Sequence, residues 1–363
     1  MAGVSEPGGA KNIALVAKEF GQKAVFKIFS SKGATQILQR TGLAFEQADQ
    51  IEQLSEAREL LYVIRPTVIL TGRGIQPNSL ERLLVRAARD IGIPSVGLID
   101  EWYDYRANYS DKTGRWDSLP NIICCPDEQA RREAAGEGLP TEGLLVTGSP
   151  ALAAVFDRRE KYRAFPPSRP SMLPPEGSGP MLVFLSEVIQ SNPDATSPDT
   201  GARLGGNSPG YNEYSVRQDL RNILESTFEA VTVIEKLHPS ADPGNYPAIK
   251  SSSVDWRTVL DADLELLCWW ADMVVGMRSA ALIDARLLGT STVSFQPGLV
   301  GENRCTAVRK GMVPCFLSRN SFQTWLQDRA CSPEKDFIGR PEFAFLRSTQ
   351  NVFSALTQVT VGF

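Results

Sequence analysis

Histidine, long apolar runs, paired cysteines and surplus positive charge are what this chain has least of, and each shortage excludes something. The 363 residues hold one histidine, His238, and six cysteines (124, 125, 268, 305, 315, 331) with no CxxC pair. A metal cage would have to combine that lone imidazole with dispersed thiols, so no metal is expected and the cysteines read as reduced. Lysine and arginine number 38 against 42 aspartates and glutamates, a formal charge of −4, which gives no basic field for nucleic acid. The opening MAGVSEPGGAK has no apolar segment of the secretory kind, and Asp263, Glu265 and Asp272 interrupt the most hydrophobic later stretches. No leader or membrane span is expected, and the location expected is cytoplasmic.

What the chain does have is alternation. A helix and the strand AVFKIF fall within 12–30, with helices over 33–41 and 50–64. The strand TVIL follows, then the helix SLERLLVRAARDIG, the strands SVGLID and NIICC, the helix DEQARREAAGEG and the strand GLLVTG. Strands separated by helices imply parallel pairing with right-handed crossovers. Residues 165–180, FPPSRPSMLPPEGSGP, cannot continue a sheet or a helix and read as a semi-rigid connector.

A second alternation begins at the strand MLVFLSE and passes through a polar excursion at 190–212, either a substrate-covering loop or an insertion. It continues with the helix SVRQDLRNILES, the strand VTVIEKLHP, the helix TVLDADLELLCWW, the strand DMVVGM, the helix SAALIDARLLG and the strand STVSFQ. A last amphipathic pattern covers 342–360. The expected fold is α/β, two Rossmann-like doubly wound parallel-sheet domains facing across a cleft: residues 1–160, a linker at 161–180, residues 181–345, and a C-terminal helix and tail at 346–363.

Two segments of the second half carry chemistry. In Glu235-Lys236-Leu237-His238-Pro239, a β-branched strand ends in a cation, an imidazole and a proline, delivering donors to one point at a sheet edge. A lone histidine is usually a packing residue, but Lys236 projects from the same face of the strand. In Gly276-Met277-Arg278-Ser279-Ala280, a strand ends at glycine and a helix starts at serine, and the free N–H groups of a first turn attract anions. Ser279 serves there as cap or as ligand. Asp284 reaches the hydroxyls of a bound ribose or is an ordinary solvated carboxylate.

Three segments of the first half are richer in polar groups than folding requires. Ser5-Glu6-Pro7-Gly8-Gly9 is a tight turn entering a helix, where glycines let backbone amides approach a ligand. Thr71-Gly72-Arg73-Gly74 follows the strand TVIL. Asp100-Glu101-Trp102-Tyr103-Asp104-Tyr105 gathers three carboxylates and three aromatics, the furniture of a sugar site, although a surface loop packed by its own rings has the same composition.

The segment from Gly276 to Gly289 resembles the donor-binding part of GT-B glycosyltransferases and their relatives, the UDP-sugar 2-epimerases, with Asp284 where those families commonly have glutamate. KLHP is similar to the His-Pro motif of bacterial sialyl-, Kdo- and glycerophosphate-transferring enzymes of GT-B shape, and Val146-Thr147-Gly148-Ser149-Pro150 looks like the VTGNP string that closes the N-terminal domain in several GT-B transferases and 2-epimerases. The resemblance implies a nucleotide-sugar donor, of UDP or CMP type, held in the C-terminal domain by Lys236, His238, Pro239, Gly276, Arg278, Ser279, Ala280 and Asp284. It implies an acceptor side in the N-terminal domain, with Gly8, Gly9, Thr71, Arg73, Trp102 and Tyr103 on the substrate and a general base among Glu6, Asp100 and Glu101.

The function expected first is a metal-independent, inverting glycosyltransferase without a cofactor, its partners a nucleotide sugar and a hydroxyl acceptor, a homodimer being left open. A UDP-sugar 2-epimerase, hydrolysing or not, ranks second because that family uses several histidines; a non-catalytic nucleotide-sugar-binding protein ranks third. An NAD enzyme is disfavoured, because no GxGxxG follows a strand with an acid downstream.

Overall fold

The structure is a computed structural model that describes residues 1–31, 33–74, 76–189, 209–329, 335–344 and 346–361. Most of the polar excursion at 190–212 lies outside them. The chain forms two compact units, one made of Met1–Phe156 with Arg340–Phe363, the other of Asp157–Gly339.

Unit 1 runs β1 (Ala2–Val4), α1 (Pro7–Phe20), β2 (Ile28–Ser30), α2 (Gly33–Thr41), β3 (Glu46–Gln47), α3 (Leu54–Ile64), β4 (Ile69–Thr71), α4 (Leu80–Asp90), β5 (Ser95–Leu98), β6 (Ile122–Cys125), α5 (Glu128–Gly136) and β7 (Leu144–Val146). All its strand pairs are parallel, in the order β3-β2-β1-β4-β5-β6-β7. The inner strands β1, β2, β4, β5 and β6 are buried at every residue, as expected of a parallel sheet covered on both faces. The unit boundary falls inside the next helix, α6 (Pro150–Ala164).

Unit 2 contains β8 (Met181–Leu185), α7 (Glu213–Thr227), β9 (Val231–Lys236), β10 (Val254–Val259), α8 (Leu264–Trp270), β11 (Met273–Gly276), α9 (Ala281–Leu287), β12 (Ser291–Phe295), α10 (Thr306–Arg309), β13 (Cys315–Phe316) and α11 (Arg319–Arg329). Its strands are again parallel, in the order β10-β9-β8-β11-β12-β13. The two units are therefore both doubly wound α/β sheets. The core of unit 2 joins Phe184, Val233 and Val275 of the sheet to Leu220 and Leu224 of α7, and Phe295 stacks on Phe322 at 4.8 Å. Each such side chain, fully buried, contributes roughly 1.5–3 kcal/mol.

One local expectation is corrected, and two further features shape the core of unit 1. Residues 258–260 do not begin a helix: Thr258 and Val259 end the edge strand β10, in which Val254 and Trp256 are buried while Asp255 and Arg257 are exposed. That alternation belongs to a strand with one face in water. The tripeptide Ala2-Gly3-Val4, too short to show a period, is an inner strand of unit 1, paired with β2 and β4. The helix at the end of the chain, α12 (Ser348–Val361), packs into the core of unit 1 through Val352, Ala355, Leu356 and Val359, and Phe353 stacks on Phe20 at 4.1 Å.

Candidate functional site

In a doubly wound sheet the connections leave two neighbouring strands in opposite directions, and the crevice outside their carboxyl ends is where ligands bind. In unit 1 that switch point lies between β1 and β4, and in unit 2 between β8 and β11.

At the unit 1 switch point, β1 runs through Ser5 and Glu6 into α1, which has Pro7 at its start and no acidic residue in its first turn. Gly8 and Gly9 are small for a visible reason. A Cβ at Gly8 would collide with Oδ2 of Asp100, and one at Gly9 would come within 3.0 Å of the Gly72 Cα in the loop after β4. The helix start is thereby drawn onto Asp100, which follows β5. Arg73, only 6% exposed, lies with Nε 3.6 Å from Asp100 Oδ1 and Nη2 2.5 Å from Glu101 Oε2, and its guanidinium covers the Tyr103 ring at 5.4 Å. Burial, only partly offset by Arg73 and reinforced by Glu101 and Glu6, pushes the Asp100 carboxyl up to about 6.

The sequence-predicted residues Glu6, Gly8, Gly9, Thr71, Arg73, Asp100, Glu101 and Tyr103 thus share one sheet end. Thr71, the last residue of β4, is buried. Trp102 is placed differently from its neighbours. It is 1% exposed, its Nε1 donates to both carboxylate oxygens of Asp127 at 2.9 and 3.0 Å, and its ring meets Phe343 edge-on at 5.7 Å.

Sequence reasoning missed Glu81, on α4. It is 2% exposed and accepts hydrogen bonds from the Ser5 backbone N–H at 2.6 Å and from the Ser5 hydroxyl at 2.8 and 2.9 Å. Burial, opposed by those bonds, raises its carboxyl to about 7. In LERLLV a glutamate reads as the polar face of an amphipathic helix, and nothing local reveals the contact with a turn 76 residues earlier.

In unit 2, β9 ends at the half-buried Lys236, whose ammonium donates to the Leu237 carbonyl at 2.8 Å. His238 and Pro239 beyond it are exposed. The His238 Nδ1 accepts the Ser240 backbone N–H at 3.2 Å and pairs with the Ser240 hydroxyl at 2.7 Å. Its pKa lies below the ordinary histidine value, through partial desolvation and the nearby Lys236, so the neutral ring carries its proton on Nε2 as an outward donor.

Across the switch point, β11 ends at Gly276, and the amides of Arg278 and Ser279 already have a partner. The Glu187 carboxylate accepts both, at 2.6 and 2.8 Å, and lies 3.4 Å from the Arg278 Nε. Burial raises the Glu187 pKa against the pull of Arg278. The Ser279 hydroxyl accepts the Ala281 N–H at 3.3 Å, the exposed Ala280 stands at the helix start, and Asp284 is buried in α9. Glu187 was missed too, although a carboxylate two residues beyond the end of β8 is a signal that strand-end reading can use.

Among the described residues, no cluster of histidine, cysteine or carboxylate side chains suits a metal ion, and no helix is long and apolar enough to cross a membrane. No protein-family model and no curated protein matches this chain. Solved structures do match. UDP-GlcNAc 2-epimerase from Neisseria meningitidis, bound to UDP-GlcNAc, is 14% identical, with a TM-score of 0.69 over 98% of this chain and 99% of that one. UDP-GlcNAc 2-epimerase from Methanocaldococcus jannaschii, in complex with UDP-GlcNAc and UDP, is 12% identical, with a TM-score of 0.68 over 98% and 99%. The Rickettsia bellii UDP-N-acetylglucosamine 2-epimerase is 13% identical, with a TM-score of 0.60 over 99% and 96%.

These matches establish a fold shared along the whole chain. They also overturn the glycosyltransferase expectation, because the neighbours are 2-epimerases and not sugar transferases.

Proposed function

We propose that this protein is a UDP-sugar 2-epimerase acting on a UDP-N-acetylhexosamine. The observation that carries the reading is Asp100, a buried carboxyl with its pKa near 6 at the unit 1 switch point, in a chain whose fold matches 2-epimerases over nearly all its length. Inverting C2 requires that its proton leave and return on the other face. A carboxylate of this pKa takes a proton when ionised and gives one when protonated, near neutral pH. Ionised Asp100 takes the C2 proton, the C1–O bond breaks with its electron pair leaving on UDP, and a double bond forms between C1 and C2. Protonation of C2 on the opposite face, with Glu6 or Glu101 as the acid, and return of UDP to C1 complete the epimer. The Nε2–H of His238 and the ammonium of Lys236 are the donors suited to the departing diphosphate.

The test is incubation with UDP-GlcNAc and no acceptor, followed by chromatography. Its C2 epimer or free UDP is expected from the wild type and not from Asp100→Asn. If wild type and variant both return only UDP-GlcNAc, the reading fails.

Two observations favour a second reading, a protein that binds the nucleotide sugar without turnover. Arg73 contacts both Asp100 and Glu101, and Glu187 occupies the amides of Arg278 and Ser279. A variant with Glu6, Asp100 and Glu101 all neutralised would then keep its UDP-GlcNAc affinity.

A further inference from the structure

At the opposite, amino end of the unit 2 sheet lies a cavity of about 1400 Å³ bordered by the first residues of four strands, Met181, Val231, Met273 and Ser291. Its lining holds four carboxylates and three cations, and two of the cations stand outside any ion pair. Arg286 is matched by Asp336 at 2.6 Å, and Asp272 accepts the Met181 N–H at 2.7 Å. Two other cations on the wall form no ion pair with a described residue, although Asp272 lies close enough to Lys335 to favour its charge. Arg169 donates only its Nε, to the Pro174 carbonyl at 2.9 Å, and lies over the Trp270 ring at 5.2 Å. Lys335 donates to the Thr290 hydroxyl at 3.0 Å and sits over Trp269 at 4.9 Å. A cation held from water without a full counter-charge is costly, and Lys335 is the one of the two that is desolvated.

Two cations on the wall of one cavity, neither in an ion pair, suit an acceptor that carries negative charge. We propose that this cavity is a second ligand site, for a small organic anion whose carboxylate or phosphate meets Arg169 and Lys335 and whose apolar body lies on Met181, Met273 and Phe228. Burial, only partly countered by Cys268 and Asp272, holds the Lys335 ammonium down to about 8, and an arriving anion would raise it again. The rim acids Glu176 and Asp328 are exposed and stay solvated. The site is independent of the epimerase reading, since none of its residues belongs to either switch point.

The test is titration of the full chain, followed by tryptophan fluorescence and calorimetry, with 1-naphthoate, 1-naphthyl phosphate and the uncharged 1-naphthamide. Both anions are expected to bind at least about tenfold more tightly than the amide, and the tighter of the two identifies the head group. Arg169→Gln and Lys335→Met should each weaken the anions by about tenfold while leaving the amide unchanged. Bound naphthoate should also protect Lys335 from acetylation by acetic anhydride, read by peptide mass mapping. Equal binding of amide and anions, no saturable binding of any of the three, or unchanged anion affinity in both variants would overturn the proposal. The comparison of charged with uncharged probe uses the wild type alone and stands even if a variant folds poorly.

Discussion

The Asp100 carboxylate lies 3.6 Å from the Arg73 Nε and in contact range of Gly8, so that a cation and a helix start converge on one buried acid. Arg73 stabilises its ionised form, while burial, reinforced by Glu101 and Glu6, favours its protonated form, to the extent of a pKa near 6. Catalysis that needs ionised Asp100 should rise about tenfold per pH unit below 6 and level off above it. The measurement is kcat/KM for UDP-GlcNAc between pH 5 and 8. Asp100→Asn should lower the rate by about 10²–10⁴ with a smaller effect on KM.

Gly8→Ala places a methyl where Oδ2 of Asp100 now lies. The carboxylate has to move, at a cost of about 1–3 kcal/mol in stability, and activity should fall further than stability does. Thermal melts paired with UDP-GlcNAc turnover separate the two effects.

Glu81 should make the fold less stable as pH rises. Its folded pKa, about 7, is above the ordinary 4.5, so the native state holds a proton that the unfolded state has released between those values. Stability from this group is present below pH 4.5 and is lost as pH climbs through 7, on the order of 3 kcal/mol in total. Glu81→Gln imitates the protonated form. It should melt higher than the wild type at pH 8 and match it near pH 5; a variant that melts lower at pH 8 would contradict this.

Trp102→Phe keeps a ring against Phe343 and removes the N–H held by Asp127. A loss of about 1–2 kcal/mol is expected in denaturant melts, with UDP-GlcNAc affinity unchanged. Glu187→Leu leaves the amides of Arg278 and Ser279 without their carboxylate and should cost about 1–3 kcal/mol by the same measurement.

The architecture was legible wherever a segment was long enough to show a period. The β-branched runs before Gly72, Asp100, Lys236 and Arg278 end where the strands end, so the residues that follow were placed at a sheet edge from sequence alone. Short elements were not legible: Ala2-Gly3-Val4 is a strand only because its neighbours Ile28–Ser30 and Ile69–Thr71 pair with it. Nor were the partners. Glu187 meets Ser279 across 92 residues and Glu81 meets Ser5 across 76, and no local pattern encodes such contacts. The burial of Trp102 was equally hidden, since its neighbours Glu101 and Tyr103 alternate with it along the chain and stay partly exposed. The choice between transferase and epimerase lay outside the pattern altogether, because both place the same motifs on the same fold.

The most direct test is incubation with UDP-GlcNAc in deuterium oxide, with the recovered sugar nucleotides examined by mass spectrometry and proton NMR. Deuterium at C2 of substrate and epimer, absent with Asp100→Asn, is the result expected if Asp100 removes that proton and solvent-exchanged acids on the two faces return it. UDP-GlcNAc that binds but is recovered without deuterium at C2 and without free UDP would contradict the epimerase assignment.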